Sequence, residues 1–295
     1  MTRGPDARTI HRTLRSRSAA CRIPALVSGL LLALAIGSPS GARTNQESIP
    51  ATLPFVPGEQ LFYKVDWDPP WFLFFLPKME AGELELALTS ETDQKDRPAW
   101  RVSFRARSSG TLSKLAGVSV DDQFEALTDP ATLCTLTVKK RIREGKRKRD
   151  IDVTYLPTGR RLHIREIDVA RVPPGVVKDR HKEDIPECVK DVFSALYALR
   201  MEELKAGHTR RWVVGDDDTV KEIETRVLRS EMVPGPNGPT PSLHIETVAL
   251  LGGLFKEGGR FSIWLSDDRR RLPLRFQIQV KLGKVDGRLV SVRQQ

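Results

Sequence analysis

The chain has 295 residues, of which 39% are apolar and 29% charged, and its formal net charge is +10. This apolar content excludes an intrinsically disordered chain, and the glycines lack the three-residue period of collagen. A folded core is therefore expected, although no motif in the sequence names a substrate.

The first 42 residues are organised like a secretory signal peptide. Six arginines and one aspartate precede an apolar stretch from Ile23 to Ile36, and small residues follow at 40–42. The stretch is shorter than the roughly 20 residues needed to span a bilayer. We expect cleavage after Ala42, a periplasmic or secreted location, and no transmembrane span in the mature protein. The alternative is that the segment is kept as an N-terminal anchor.

Cleavage at this point would remove those six arginines and one aspartate and leave a formal charge of +5. Most of the basic character that suggests nucleic-acid binding is then lost, so we expect no nucleic-acid partner. Residues 43–57 are polar and proline-containing and are predicted to form a flexible linker. Residues 58–295 are predicted to form a single β-rich domain.

Apolar and polar side chains alternate with a period of two through most of that domain. The alternation is clearest at 61–67, 84–88, 100–106 and 274–282. It is typical of antiparallel strands with one buried face. We predict a mainly β protein, with one large curved antiparallel sheet or open barrel of about 11 to 13 strands.

One segment, from about 187 to 206, has the three- and four-residue apolar spacing of an amphipathic helix. Asp184 and Glu187 are predicted to form its capping box, and Gly207 to end it.

The same helix contains Asp191, Ser194 and Arg200. A serine beside an acid suggests a hydrolase, but no histidine is near in sequence and the Gly-x-Ser-x-Gly elbow is absent. We expect Asp191 to stabilise the first turn and Arg200 to stabilise the last turn or pair with a strand carboxylate. No catalytic residue is therefore predicted.

Cys134 and Cys188 are the only cysteines after the predicted cleavage site. An oxidising compartment would allow them to form a disulfide, and the alternative is two separate buried thiols. The histidines show none of the spacings of a zinc site, so no metal or other cofactor is expected.

The most unusual stretch is Trp71–Leu76, six consecutive large apolar residues between prolines. Such a run cannot alternate between core and water, so burial inside the fold is favoured. The alternative is a lid or a membrane-touching loop. In that case the contacts with ligand or membrane are made by Trp71, Phe72, Phe74 and Phe75.

A basic run from Lys139 to Arg149 contains a single acid, Glu144. Its Glu144-Gly145-Lys146 turn predicts a hairpin. The simplest interpretation is a solvated hairpin tip, and the alternative is a patch that binds an anionic envelope surface. The candidate patch is Lys146, Arg147, Lys148 and Arg149.

Three stretches together resemble the bacterial exported proteins grouped as domain of unknown function 3108. They are Pro57-Gly58-Glu59 ahead of Ala81-Gly82-Glu83, the helix Asp191–Arg200, and the hairpin from Ile263 to Arg275. The resemblance extends from about Phe55 to Val292. It implies export and an elongated β fold with a helix, and it brings no known activity or catalytic residue.

These features favour a non-enzymatic periplasmic or envelope protein that binds a lipid-like or amphiphilic ligand in its curved sheet. The first alternative is a structural or interaction module of the cell envelope, and the second is an uncharacterised hydrolase.

Overall fold

The structure is a computed structural model that describes residues 53–110, 119–248, 260–279 and 283–294. These ranges contain fourteen β-strands and one α-helix, α1, at Val192–Met201. The strands are β1 Glu59–Asp68, β2 Met79–Thr92, β3 Pro98–Ser108, β4 Asp121–Thr128, β5 Thr135–Glu144, β6 Arg147–Leu156, β7 Arg161–Asp168, β8 Gly175–Lys182, β9 Thr209–Asp216, β10 Thr219–Gly235, β11 Gly238–Val248, β12 Arg260–Ser266, β13 Pro273–Gln279 and β14 Lys284–Gln294.

All fourteen strands belong to one antiparallel sheet with the order β8-β7-β6-β5-β4-β3-β2-β1-β14-β13-β12-β11-β10-β9. The prediction of a mainly β protein with one large antiparallel sheet is confirmed. The prediction of about 11 to 13 strands is slightly too low. Strand β8 illustrates why, because its side chains are mostly exposed on both faces and the sequence has no alternation there.

The two edge strands, β8 and β9, are not paired with each other in the described part of the chain, so the sheet stays open. The segment that follows β8 lies between β9 and the start of β5. Lys190 exchanges backbone hydrogen bonds with Val213 and Gly215, and the Thr135 N–H donates to the Val189 carbonyl at 2.8 Å. This segment therefore links β5 and β9 through backbone hydrogen bonds.

Helix α1 is shorter than the predicted span of 187–206 and begins later than expected. Its N-cap is Asp191, so the prediction of a capping box at Asp184 and Glu187 is wrong. The reason is that residues 188–190 are extended and committed to the connection with β5 and β9. The Asp191 carboxylate accepts hydrogen bonds from the N–H groups of Phe193 (2.8 Å) and Ser194 (3.2 Å).

Cys134 and Cys188 form a disulfide with a Cα–Cα distance of 5.1 Å, which confirms the predicted pairing. It fastens the start of β5 to the segment that leads into α1. The disulfide and the Thr135–Val189 hydrogen bond therefore fix the same junction, and the position of the N-terminal end of α1 depends on both.

Apolar residues of β1, β2, β3, β13, β14 and α1 form a core around Tyr197. Phe55 belongs to this core, with 3% of its surface exposed and its ring edge-to-face against Tyr197. Packed structure therefore begins before Gly58, inside the predicted linker 43–57. The predicted signal peptide, residues 1–42, lies outside the described residues.

Candidate functional site

A cavity of about 220 Å³ lies between the inner face of β3–β6, the first turn of α1 and the turn that joins β9 to β10. Its lining is mostly apolar, with acidic groups and one lysine among the polar members. The lining side chains include Phe104, Ala106, Val120, Asp122, Phe124, Glu125, Ala126, Val138, Lys140, Glu144, Val153, Tyr155, Asp191, Val192, Phe193, Asp216 and Asp217.

Three phenylalanine rings form one wall of this cavity. Phe104 and Phe124 are register partners on β3 and β4, and their ring centroids are 5.4 Å apart. Phe193, in the first turn of α1, stacks on Phe104 at 4.6 Å and meets Phe124 edge-on at 6.1 Å. Because none of the three rings is fully buried, the cluster presents aromatic surface to the cavity.

Lys140 provides the cationic group of the cavity. Its ammonium group contacts the carboxylates of Asp216 and Asp217, the latter at 2.6 Å, and it lies 5.6 Å from the centroid of the Phe124 ring. Only 9% of the lysine side chain is exposed. Burial lowers the pKa of Lys140, but the two carboxylates outweigh that effect, and its pKa is raised overall.

Asp122 is an acid of the cavity lining whose proton affinity is changed by burial. Burial raises its pKa to about 6, although the Arg143 N–H, which donates to its carboxylate at 2.7 Å, opposes the change. Together with the two carboxylates at Lys140, this gives the polar part of the cavity an excess of acidic over basic groups.

Asp191 and Ser194 contact each other at the N-terminal end of α1, but their contacts are those of a helix cap. The Asp191 carboxylate accepts hydrogen bonds from the hydroxyl groups of Ser194 and Thr135, and the Thr135 hydroxyl in turn accepts from the Asp191 N–H at 2.8 Å. The expected stabilising role of Asp191 is confirmed. Among the described residues, no group of three or more His, Cys, Asp and Glu side chains is arranged to hold a metal.

Arg200 also has the role expected of it. Its guanidinium forms two hydrogen bonds with the Glu59 carboxylate of β1, at 2.6 and 3.0 Å, and its side chain has no exposed surface. The guanidinium also lies 4.9 Å from the centroid of the Phe55 ring. This pair anchors the C-terminal end of α1 in the packed core, far along the helix from the cavity.

The run Trp71–Leu76 is not buried, so the favoured prediction of internal burial is wrong. Its exposed rings form part of the connection between β1 and β2, and Trp71–Leu73 is a single turn of 3₁₀ helix. The exposed fractions are 86% for Trp71, 50% for Phe72, 85% for Phe74 and 67% for Phe75. Pro69, Pro70 and Pro77 explain the difference, because they cannot contribute to a central strand.

The basic run from Lys139 to Arg149 divides into two sets. Lys140 turns inward to the cavity, and several arginines pair with acids of neighbouring strands, including Arg143 with Asp150 and Arg149 with Glu166. The predicted hairpin tip is confirmed, with Lys146, Arg147 and Lys148 exposed. Arg149 is half-buried and therefore differs from the rest of the predicted patch.

The residues that line the cavity were not predicted from the sequence, although the position of one of them indicated a buried polar contact. Lys140 occupies an inward position between Val138 and Ile142 in the alternation of β5, and a lysine in an apolar row predicts a buried partner. Its partners, Asp216 and Asp217, lie more than seventy residues further along the chain. The aromatic wall likewise depends on the position of α1.

The family model described as protein of unknown function DUF3108 matches residues 63–290. The chain belongs to this family. Among solved structures, a β-barrel-like protein of domain of unknown function DUF1849 from Brucella abortus is similar in fold, with a TM-score of 0.53 and 11% sequence identity. The similarity covers 80% of this DUF3108 chain and 97% of the Brucella chain. No curated protein matches the chain.

The DUF3108 membership confirms the resemblance inferred from the three sequence stretches, and the Brucella structure supports a barrel-like sheet. Neither comparison assigns an activity. In the described part of the chain, no helix combines the length and apolar character required to cross a membrane.

Proposed function

We propose that this DUF3108 protein is an exported, non-enzymatic envelope protein that binds the apolar part of a lipid-like or amphiphilic molecule in the cavity at the N-terminal end of α1. The observation that carries the proposal is the lining of that cavity, where Phe104, Phe124 and Phe193 form an aromatic wall with polar groups at one side. Ligand sites of proteins commonly combine an apolar surface with a few polar groups in this way.

The volume limits which part of a ligand is enclosed. An apolar cavity of 150 Å³ accommodates benzene, so by proportion 220 Å³ accommodates a chain of about eight or nine carbons. The cavity is smaller than the roughly 300–1,000 Å³ of most small-molecule sites. A ligand with a longer chain would therefore leave its head group and part of its chain outside.

The charges favour a particular class of head group. Lys140 is already paired with both Asp216 and Asp217, so this cluster keeps a net negative charge. Asp122 adds a further acid when it is ionised. An uncharged or cationic head group is therefore preferred over a carboxylate or phosphate.

An interaction module of the envelope is the second candidate, favoured by the exposed rings between β1 and β2. A hydrolase is less well supported, because Asp191 and Ser194 are used in the helix cap.

Native mass spectrometry with three amphiphiles that share an eight-carbon chain tests the proposal. Monooctanoylglycerol has an uncharged head, octyltrimethylammonium a cationic one and octanoate an anionic one. We expect one-to-one complexes with the first two at concentrations about tenfold below those needed for octanoate, a difference of about 1.4 kcal/mol. Equal binding of all three would contradict the charge argument, and no complex with any of them would contradict the proposal.

A pair of variants locates the binding. Ala106→Phe adds a ring to a half-buried strand alanine that lines the cavity, and it is expected to abolish the complexes. Ala81→Phe makes the same change at a half-buried strand alanine outside the lining and is expected to leave them intact. Circular dichroism and thermal unfolding establish that both variants are folded. Binding by A106F at the wild-type level would place the ligand elsewhere.

A further inference from the structure

The connection between β1 and β2, residues 69–78, is termed the aromatic loop. Its backbone makes its own hydrogen bonds, from the Leu73 N–H to the Pro70 carbonyl and from the Leu76 N–H to the Leu73 carbonyl, both at 2.8 Å. Its rings contact their sequence neighbours edge-on, with Trp71 and Phe72 forming one such pair. The loop therefore has an ordered backbone while its four large rings face water.

The base of the aromatic loop is fastened to the sheet. Lys78, its last residue, pairs with Asp286 of β14 at 3.0 Å and with Asp66 of β1 at 3.5 Å. Arg275 forms two further hydrogen bonds with Asp286, at 2.9 and 2.6 Å. These contacts hold the base of the aromatic loop at this end of the sheet, next to its exposed rings.

A basic surface lies at the same end of the sheet. Strands β1, β3 and β5 run in the same direction because each neighbour is antiparallel. The turn after β5 therefore projects from the end that carries the aromatic loop, four strand spacings or about 19 Å away along the sheet. The exposed residues of this turn, Lys146, Arg147 and Lys148, are termed the basic tip.

The three residues of the basic tip differ in their pairing. Arg147 forms an ion pair with Glu144 at 2.8 Å. Lys146 and Lys148 form no ion pair with any acid in the described ranges. Two unneutralised ammonium groups therefore extend from this end of the sheet, together with four exposed aromatic rings.

We propose that the aromatic loop and the basic tip form a docking edge that binds the surface of an anionic phospholipid bilayer. Trp and Phe rings enter the interface between lipid head groups and acyl chains, and lysines near an anionic surface add electrostatic attraction. This edge is separate from the residues that line the cavity, so the inference goes beyond the proposed function.

The shape of the docking edge favours a membrane over a protein partner. Stable protein interfaces use about 20 to 30 residues on each side. The aromatic loop is a short projection whose apolar surface comes from six consecutive residues. A projection of this size is sufficient for shallow insertion into a bilayer, where the lipid surrounds each ring.

Vesicle flotation of residues 43–295, the chain after the predicted cleavage site, tests this docking edge, because the arginines and apolar stretch of the predicted signal peptide would themselves bind anionic vesicles. Vesicles of phosphatidylglycerol and phosphatidylcholine in a 3:7 ratio are compared with vesicles of pure phosphatidylcholine. Trp71→Ser with Phe74→Ser removes the two most exposed rings and is expected to lower the partition coefficient at least tenfold on the anionic vesicles. Leu156→Ser with Met232→Ser, which changes two exposed apolar residues at the opposite end of the sheet, is expected to stay within twofold of wild type.

Charge is tested by a second matched pair. Lys146→Ser with Lys148→Ser is expected to lower binding to anionic vesicles at least threefold and to leave binding to neutral vesicles unchanged. Lys95→Ser with Lys205→Ser removes the same charge from exposed positions away from the docking edge and is expected to have little effect on either.

Insertion has its own readout, because brominated lipids quench only those indoles that enter the bilayer. We expect quenching in wild type and its loss in Trp71→Phe, which keeps a ring and is expected to bind nearly as well. Equal flotation of wild type and W71S/F74S would overturn the inference, as would failure of wild type to bind either vesicle. Capture of a protein partner through Trp71 without vesicle binding would also overturn it.

Discussion

The two ends of α1 lie in different surroundings. At the C-terminal end, Arg200 is fully buried against Glu59 and the surrounding core is filled by aromatic and aliphatic side chains. At the N-terminal end, Phe193 faces a cavity of about 220 Å³, and the buried cation there, Lys140, lies among polar cavity groups. One end of the helix is therefore held in a filled core, whereas the other faces an unfilled space, which is the space we propose to hold a ligand.

The largest effect is expected from removing the cation at the C-terminal end of α1. Arg200→Met leaves the Glu59 carboxylate buried without its partner, and we expect a loss of about 3 to 5 kcal/mol in the free energy of unfolding. Urea denaturation measures it. The double variant Glu59→Gln with Arg200→Met removes both charges and is expected to recover at least half of the loss. If the two variants are equally destabilised, the ion pair is not what holds this end of the helix.

Opening the disulfide tests how the N-terminal end of α1 is held. Cys134 and Cys188 are 54 positions apart, and opening a loop of that size is expected to cost about 2 to 4 kcal/mol. Urea denaturation of wild type with and without reductant measures this cost, with the variant Cys134→Ser/Cys188→Ser as a check.

Hydrogen exchange shows where the disulfide acts. Because the bond fastens the segment before α1, reduction should speed exchange at residues 189–194 more than at 197–200. A uniform increase along the helix would show that its two ends are not independently held.

A smaller effect is expected from Asp122, which lines the cavity at the N-terminal end of α1. Its folded-state pKa of about 6 lies above its ordinary value of 3.8, so the folded protein binds more protons than the unfolded chain between these values. Stability therefore falls as pH rises through that window, and the cost persists above pH 6.

Asp122→Asn keeps an oxygen that accepts the Arg143 N–H and cannot ionise. We expect this variant to exceed wild type by about 1 kcal/mol at pH 7.5 and to match it at pH 3, below both pKa values. Urea denaturation at both pH values measures the difference. A variant that is less stable than wild type at pH 7.5 would show that the ionised carboxylate is stabilising.

The sheet, the helix and the disulfide could be predicted from the sequence, because each depends on the spacing of apolar residues or on one pair of cysteines. The alternation of apolar and polar residues predicted the sheet, and the three- and four-residue apolar spacing predicted a helix around 192–201. The two cysteines, in a chain expected to enter an oxidising compartment, predicted the disulfide. The limits of the helix were misplaced because hydrogen bonds with two distant strands keep residues 188–190 extended.

The sequence pattern could predict a buried partner for Lys140, but not the cavity around it. Phe104 and Phe193 are 89 positions apart and meet only because α1 returns over the sheet. The burial of Lys140 was not predicted because the lysine lies in a run of basic residues, most of which face solvent or pair with nearby acids. The exposure of Trp71–Leu76 was mispredicted because composition favoured burial, whereas the flanking prolines keep these residues out of the sheet.

Whether the cavity binds an apolar chain is tested most directly by a crystal structure of the protein grown with 8-bromooctanol, whose bromine gives an anomalous signal. We expect a bromine peak inside the cavity, in contact with Phe104, Phe124 or Phe193, and its absence in the Ala106→Phe variant. A cavity without a peak at saturating ligand, or one whose peak is unchanged in the variant, would contradict the claim that this space binds an apolar chain.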